Sequence, residues 1–522
     1  MRRVEETAVA RGCHDLLSRD EFHAPALAAV QRLLDAAAQN DPDWRFGCSS
    51  KVLLAIPDFP DLLLIFVLRA MQESGKGGVV VALCDNRSVA QLVGSQFGMC
   101  AVPTFPAVGK HALLRAGRSA LRASFARRPR ARANVLLFTL GEAAPTAGGD
   151  PYFGSLADAI RTRTPAVTVF LASGRRLFFE RSAHAFPLES FLNPAHAGLA
   201  LLAATRDAKK ATQPESDRDQ GLLAFLRSRE AASGELFQQR LMTLAFEGMI
   251  GSVRPQTIVY PFENRSWEKQ LLRAARRGGV KRCIAYQHSS LTPRHWALHA
   301  GAGLGPADLP DQVLACGEIT AEWVRRGMPQ LAAKIKVAAA LRSRRLNLPP
   351  PDHAGVLVAI SSSRAEAWEL LRLTRSASQR LDIPFIIRSH PTIPVDDLFN
   401  QLSWPSNVKL SRGLSLAEDL ARSSLVAYSS STVALEGMLY GRLPIFVNIG
   451  DVPSGDPLDG EHPFLLRAAG GNEFTKAVQR TLAMPAELTL AIKEQARAYA
   501  ECYLREPTPE RIDAMAEDIA QC

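Results

Sequence analysis

"LVAYSSSTVALEGMLYGRLPIF", residues 425–446, contains a whole α/β unit in miniature. A short apolar run ends in four consecutive hydroxyl residues, Ser429, Ser430, Ser431 and Thr432. A helical segment follows, Gly441 closes it, and a second apolar run begins. Continuous β-prone runs separated by helices predict buried parallel strands covered on both faces. The alternation extends backwards through "VLVAI", a helix containing "AEAWELLRL", "IPFIIRSHP" and "NVKLS". Earlier strands are predicted in "KVLLAI" (51–56), "GGVVVALCD" (77–85), "ANVLLFTLGE" (133–142) and "PAVTVFLA" (165–172). "QTIVYPFE" (256–263), "KRCIAYQHSS" (281–290) and "DQVLACGE" (311–318) continue the series. Prolines in "RRLNLPPPDHAG" (344–355) interrupt it.

The fold class is therefore α/β, with two Rossmann-like domains facing a cleft. The expected division is a helical lead-in over 1–45, a first Rossmann-like domain with helical insertions over 46–345 and a second over 346–485. Helices over 486–522 are expected to pack back toward the first domain, the first of them (486–504) crossing over it.

Composition narrows the function. The chain has 522 residues, 47% hydrophobic and 22% charged, with a net charge of +10. That balance is ordinary for globular domains with sizeable cores, and the positive field suits anionic ligands. No zinc-finger spacing or aromatic–basic interleaving points to nucleic acid. The eight cysteines never form Cys-x-x-Cys and sit among mostly apolar neighbours, which predicts reduced, buried thiols. The N-terminus lacks a signal-type apolar core, and "DLLLIFVLRAM" (61–71) is far short of the ~20 residues that span a bilayer. A cytoplasmic protein is expected, with peripheral contact at the inner face of an anionic membrane as a further expectation. The basic stretch between 112 and 132 reads first as a solvated helix face and second as a contact with an anionic acceptor or membrane surface.

In open parallel sheets ligands lie beyond the carboxyl ends of the strands. The hydroxyls Ser429–Thr432 stand there, before a helix whose first N–H groups hold anions. Glu436 is placed to accept from a ribose or sugar hydroxyl, or to complement the helix start. At a second corner, "FIIRSHPT" (385–392), Arg388 brings charge, His390 a donor and Pro391 a turn. The first domain offers Asp150 and Tyr152 in "DPYFGSL", Glu263 in "YPFENRSWEK", and Tyr286, Gln287 and His288 in "AYQHSS". A Glu263 carboxyl raised by apolar surroundings would take a proton from an acceptor hydroxyl. Glu268 is expected at the surface or between domains, and Trp267, Leu271 and Ala275 as a packing stripe. Gly-x-Gly-x-x-Gly and Gly-Lys-Ser/Thr patterns are missing, which argues against dinucleotide oxidoreductases and P-loop ATPases. No Asp-x-Asp pair suggests a metal site.

The ordered set "YPFENRSWEK", "AYQHSS", "RSHP" and "SSSTVALEGMLYGRLPIF" resembles GT-B glycosyltransferases of bacterial surface-carbohydrate synthesis, notably those using CMP-activated acidic sugars such as Kdo and nonulosonates. The likeness spans roughly 150–450. It implies inverting transfer from a CMP-sugar to a glycan, glycolipid or protein acceptor, with no cofactor required. Carried over, it puts His390 and Pro391 at the nucleotide phosphate, with a Ser/Thr pair within Ser429–Thr432, Ser430 and Ser431 being favoured. A first-domain carboxylate serves as base. The Asp/Glu-Asp/Glu-Gly motif of sialyltransferases is missing, so Asp150 and Glu263 both stay open. A CDP-glycerol-type polymer transferase, a sugar-nucleotide epimerase and a non-catalytic nucleotide- or carbohydrate-binding protein are the alternatives.

Overall fold

The computed structural model describes residues 132–140, 150–171, 184–211, 235–293, 295–298, 305–343, 348, 354–391, 393–449, 454–458 and 460–521, with a fragment at 116–120 lacking 118. The expected lead-in, the strands at 51–56 and 77–85, and nearly all of the basic stretch lie outside these residues.

Two parallel sheets organise the chain. The first contains β1 (Val135–Thr139), β2 (Ala166–Phe170), β3 (Ala185–Pro187), β4 (Thr257–Pro261), β5 (Arg282–Tyr286), β6 (Gln312–Ala315) and β7 (Ile335–Val337). The second contains β8 (Val356–Ala359), β9 (Phe385–Arg388), β10 (Val408–Leu410), β11 (Leu425–Tyr428), β12 (Leu443–Val447) and β13 (Leu466–Ala468). Their spatial orders are β3-β2-β1-β4-β5-β6-β7 and β10-β9-β8-β11-β12-β13. In both, the chain builds outward to one edge, then returns to the far side of its first strand. That is the Rossmann order, and the reversal leaves a crevice at β1/β4 in one lobe and β8/β11 in the other. Together the two lobes form the expected GT-B architecture.

Burial explains the strands. β1, β2, β4, β8, β11 and β12 are buried at every position, because helices cover both faces of each sheet and no polar alternation is needed. The strands that sequence does not predict, β3, β7 and β13, are three residues long and only partly buried. They are edges, where short, half-polar strands are favoured and too little pattern accumulates.

The C-terminal helices divide their work. Ala486–Tyr503 buries Ile492, Ala496 and Ala500 in the second-lobe core, and its C-terminal end crosses to the first lobe as its sequence suggested. The Tyr503 hydroxyl both donates to the Leu291 carbonyl and accepts from the Leu291 N–H, at 2.8 Å each. Arg505 N donates to Cys316 O (2.8 Å), and Ala340 N donates to Arg505 O (2.7 Å). Gly317 is needed at this seam, since a Cβ there would run into the carbonyls of Cys502 and Tyr503. The final helix, Pro509–Ala520, then docks on the first lobe, placing Met515, Ala516 and Ile519 in one core with Leu156 and Ile160. Its Asp518 accepts from Lys336 (2.9 Å) and Arg282 (3.3 Å).

Cys283 and Cys316 are buried free thiols, and burial pushes both up to about 12. Cys502 is exposed, contrary to the sequence expectation. Among the described residues, no helix is long and apolar enough to cross a membrane.

Candidate functional site

The carboxyl ends of the two sheets confront each other. Ser290, just past β5, lies with its Oγ 2.8 Å from Oγ1 of Thr432, just past β11. Within the second lobe, Ala359 of β8 is in register with both Arg388 of β9 and Tyr428 of β11. His390 and Ser430 therefore leave the sheet at the same level, on strands about 9–10 Å apart.

In the first lobe, the loop after β4 has an enforced shape. Asn264 adopts the left-handed region at φ 56°. The Glu268 carboxylate accepts from the N–H groups of Glu263 (2.9 Å) and Arg265 (2.8 Å), capping the helix Ser266–Arg277. Lys269 Nζ donates to Asn264 O (2.5 Å) and Oδ1 (2.9 Å). Glu268 and Lys269 are each only 2% exposed, so Glu268 is an internal anchor rather than the surface group expected. Trp267, Leu271 and Ala275 are core residues, as expected.

This anchor leaves the Glu263 side chain free of capping duty. Its carboxylate is in contact with Arg265 and lies 3.5 Å from His288 Nε2. Burial acts to raise Glu263, but Arg265, His288 and His295 prevail and hold it below the usual range. The elevated base inferred from its aromatic neighbours is thus overturned: cations, not rings, dominate its surroundings. His288 is pushed down to about 4 by burial, with Glu263 opposing and Arg342 assisting, so it is neutral at pH 7. Its Nδ1 is buried without a hydrogen-bond partner among the described residues.

Asp150 has the geometry of a backbone clamp. Its Oδ1 accepts from Tyr152 N (2.8 Å), Phe153 N (2.9 Å) and Thr139 Oγ1 (3.2 Å), and burial raises its pKa. The turn it holds presents Tyr152 edge-on to His288, with ring centroids 4.7 Å apart. Tyr286 and Gln287, expected to touch sugar or acceptor, are fully buried. The Tyr286 hydroxyl donates to Ala339 O (2.9 Å) and accepts from Leu341 N (2.8 Å). Gln287 Oε1 accepts from the Cys316 thiol (3.0 Å), while its amide donates to Ser289 O. Their polar groups are spent on holding neighbouring loops, and neither offers one to a ligand.

Arg342 is the residue that sequence reasoning missed. Its guanidinium carbon lies 5.3 Å from the centroid of the Tyr152 ring. The residue is exposed, and among the described residues it makes no hydrogen bond or ion pair. Its charge nevertheless reaches His288 in the first lobe and His390 and Glu436 in the second. The only signal was its place in "LRSRRLNLPPP", just ahead of the proline-rich interruption.

In the second lobe, Arg388 is less available than its sequence suggested. Its Nη1 donates to Asp419 Oδ2 (2.5 Å) and Leu414 O (3.1 Å), and Asp419 is fully buried. The His390 carbonyl accepts from Ile393 N (3.0 Å), closing a tight turn with Pro391 exposed. Burial and Arg342 lower His390, keeping it neutral at pH 7. Of the hydroxyl run, Ser431 Oγ accepts from Val433 N (3.3 Å) and Thr432 is engaged by Ser290. Ser430 is half-buried. Ser429 Oγ is buried without a hydrogen-bond partner among the described residues. The following helix, Val433–Leu439, has only seven residues. Burial raises Glu436, against the pull of Arg342 and Arg388.

The arrangement brings together Glu263, His288 and Tyr152 from one lobe with His390, the hydroxyl run and Glu436 from the other, around Arg342. Among the described residues, no three His, Cys, Asp or Glu side chains gather as a metal site. No family model and no curated protein matches this chain. Among solved structures, a putative UDP-N-acetylglucosamine 2-epimerase from Listeria monocytogenes is similar at 13% identity and TM-score 0.45, covering 73% of this chain and 94% of its own. The UDP-GlcNAc 2-epimerase from Neisseria meningitidis, bound to UDP-GlcNAc, is similar at 11% identity and TM-score 0.42, with coverage of 74% and 98%. The calicheamicin glycosyltransferase CalG4 is similar at 14% identity and TM-score 0.42, with coverage of 74% and 98%.

Proposed function

We propose that the protein is a glycosyltransferase that moves a sugar from a nucleotide-sugar donor to an acceptor hydroxyl bound between its lobes. One observation carries the reading. Buried polar groups in native proteins are nearly always hydrogen-bonded, yet His288 Nδ1 and Ser429 Oγ, on facing strand ends of opposite lobes, have no partner among the described residues. Groups left unsatisfied on both sides of a seam are the mark of a site completed by a polar ligand.

Of the two carboxylates that sequence leaves open, Glu263 is the base. It is partly exposed and ionised, whereas Asp150 is 4% exposed and committed to backbone amides. Glu263 takes the acceptor proton as the acceptor oxygen bonds to the anomeric carbon. The bond from that carbon to the phosphate oxygen breaks, and the electron pair leaves with the nucleotide. Neutral His390 and the hydroxyls Ser429 and Ser430 donate hydrogen bonds to the departing phosphate, stabilising charge where it develops. The finer form of the reading, a CMP-linked Kdo or nonulosonate passed to a surface glycan, rests on the sequence resemblance alone.

The test is a thermal-shift and calorimetric panel of CMP, CDP, UDP and GDP, followed by transfer assays with the matching donors. CMP binding with acceptor-dependent release of CMP supports the full reading. Binding of UDP alone, with transfer, keeps the transferase and replaces the donor. Interconversion of free sugar nucleotide without an acceptor, or no nucleotide binding, overturns it.

A further inference from the structure

We propose that Arg342 is the oxyanion receptor of the interlobe site, held ready on the Tyr152 ring. The inference deepens the transferase reading and rests on it. A cation lying over an aromatic face is held by the ring quadrupole, which leaves the edge N–H donors of the guanidinium unspent. Arg342 has no carboxylate partner among the described residues, and its backbone surroundings are pinned. Leu341 N donates to the Tyr286 hydroxyl (2.8 Å), Ala340 N to Arg505 O (2.7 Å) and Ser343 N to Ala340 O (2.9 Å). The side chain therefore projects from a rigid seat.

Buried polar atoms on the facing strand ends point to an anion. His288, 7% exposed and within reach of the Arg342 charge, and Ser429, 2% exposed in the opposite lobe, each bury a polar atom without a hydrogen-bond partner among the described residues. Glu436 feels the Arg342 charge without forming an ion pair with it, so the two opposite charges stand apart. A bidentate oxyanion on Arg342 would have donors within reach from both lobes and would tie the lobes together. Two sources share this chemistry: the phosphate of the nucleotide, and the carboxylate of an acidic sugar.

Isothermal titration of the parent and of Arg342→Ala separates them, using CMP against cytidine and N-acetylneuraminic acid against its methyl ester. A charge-assisted, bidentate contact predicts that the variant loses about tenfold to a hundredfold in affinity for the anionic partner of one pair, with its neutral partner unchanged. Loss confined to CMP assigns the phosphate, and loss confined to the free acid assigns the sugar carboxylate. If Arg342→Ala keeps the parent's preference for the anion in both pairs, the inference fails while the transferase reading stands. If the nucleotide panel selects UDP instead, UMP against uridine replaces the first pair; if the parent binds no nucleotide and none of the four, the reading of the site fails and takes this inference with it. Tyr152→Leu should reproduce a smaller part of the same loss, because the receptor remains but its seat is gone.

Discussion

Ser290 and Thr432, 142 residues apart in sequence, share a hydroxyl–hydroxyl hydrogen bond of 2.8 Å across the seam between the lobes. Each stands at the carboxyl end of a central strand, so the bond is made where a substrate would lie, one residue before Leu291, whose backbone holds the Tyr503 hydroxyl. Among the described residues the lobes are thus joined at Ser290–Thr432 and, beside it, at Tyr503 and Arg505.

The first joint should matter more for turnover than for folding. Replacing Ser290 by Ala removes one hydrogen bond, worth about 1 kcal/mol net, and leaves the crossing intact. Urea unfolding of Ser290→Ala should shift by no more than that, while its KM for donor rises severalfold. An unchanged KM together with a large stability loss would show that the bond serves the fold alone.

Asp150 and Glu263 should separate cleanly. Asp150→Ala frees two backbone amides and should lower stability by about 1–3 kcal/mol, with turnover by the folded fraction largely kept. Glu263→Gln should fold as the parent does and lose about 10²–10⁴-fold in transfer. Chemical denaturation and initial rates on the same preparations decide the matter.

His288 gives the protein an acid-side slope. Its folded pKa is depressed to about 4 from an ordinary 6.5. Above 6.5 it is neutral folded or unfolded. Between 6.5 and 4 only the unfolded chain binds the proton, so stability falls as pH falls, by about 3 kcal/mol in all at 1.36 kcal/mol per unit. Glu263, held below its ordinary 4.5, adds its own loss only under that value. Denaturation midpoints for the parent and His288→Gln should converge between pH 6.5 and 4.

Glu268 and Lys269 are a buried pair whose partners are the backbone of the loop carrying Glu263. Lys269→Met strands a buried carboxylate and should destabilise by about 3–5 kcal/mol. The double variant Glu268→Gln, Lys269→Met should recover part of that loss, because Gln still accepts from an amide. Recovery of stability without recovery of turnover would identify the pair as positioning groups for Glu263.

The interior of the fold was legible and its margins were not. Runs such as "VLLFT" and "LPIFV" are buried on both faces and advertise themselves by continuous hydrophobicity. β7, "IKV", is half-exposed and three residues long, so it leaves no pattern to read. The spatial order of the strands, which puts Glu263 and Ser429 at the two topological reversals, depends on pairings between distant segments. At the site, residue type pointed to the right corners but not to the direction of the side chains. Tyr286 and Gln287 sit beside His288 in sequence, yet they are spent on backbone groups of distant loops. Arg342 went unread because one of three arginines in an irregular basic stretch looks like surface until Tyr152 is seen beneath it.

The last helix, Pro509–Ala520, supplies Met515, Ala516 and Ile519 to a core otherwise built from the first lobe. During synthesis, then, the lobe that begins first is finished after its younger neighbour. Until residue 520 has left the ribosome, Leu156, Ile160 and their surroundings stand bare, and a nascent chain halted near residue 505 should display a sticky flank to chaperones although both sheets are already encoded.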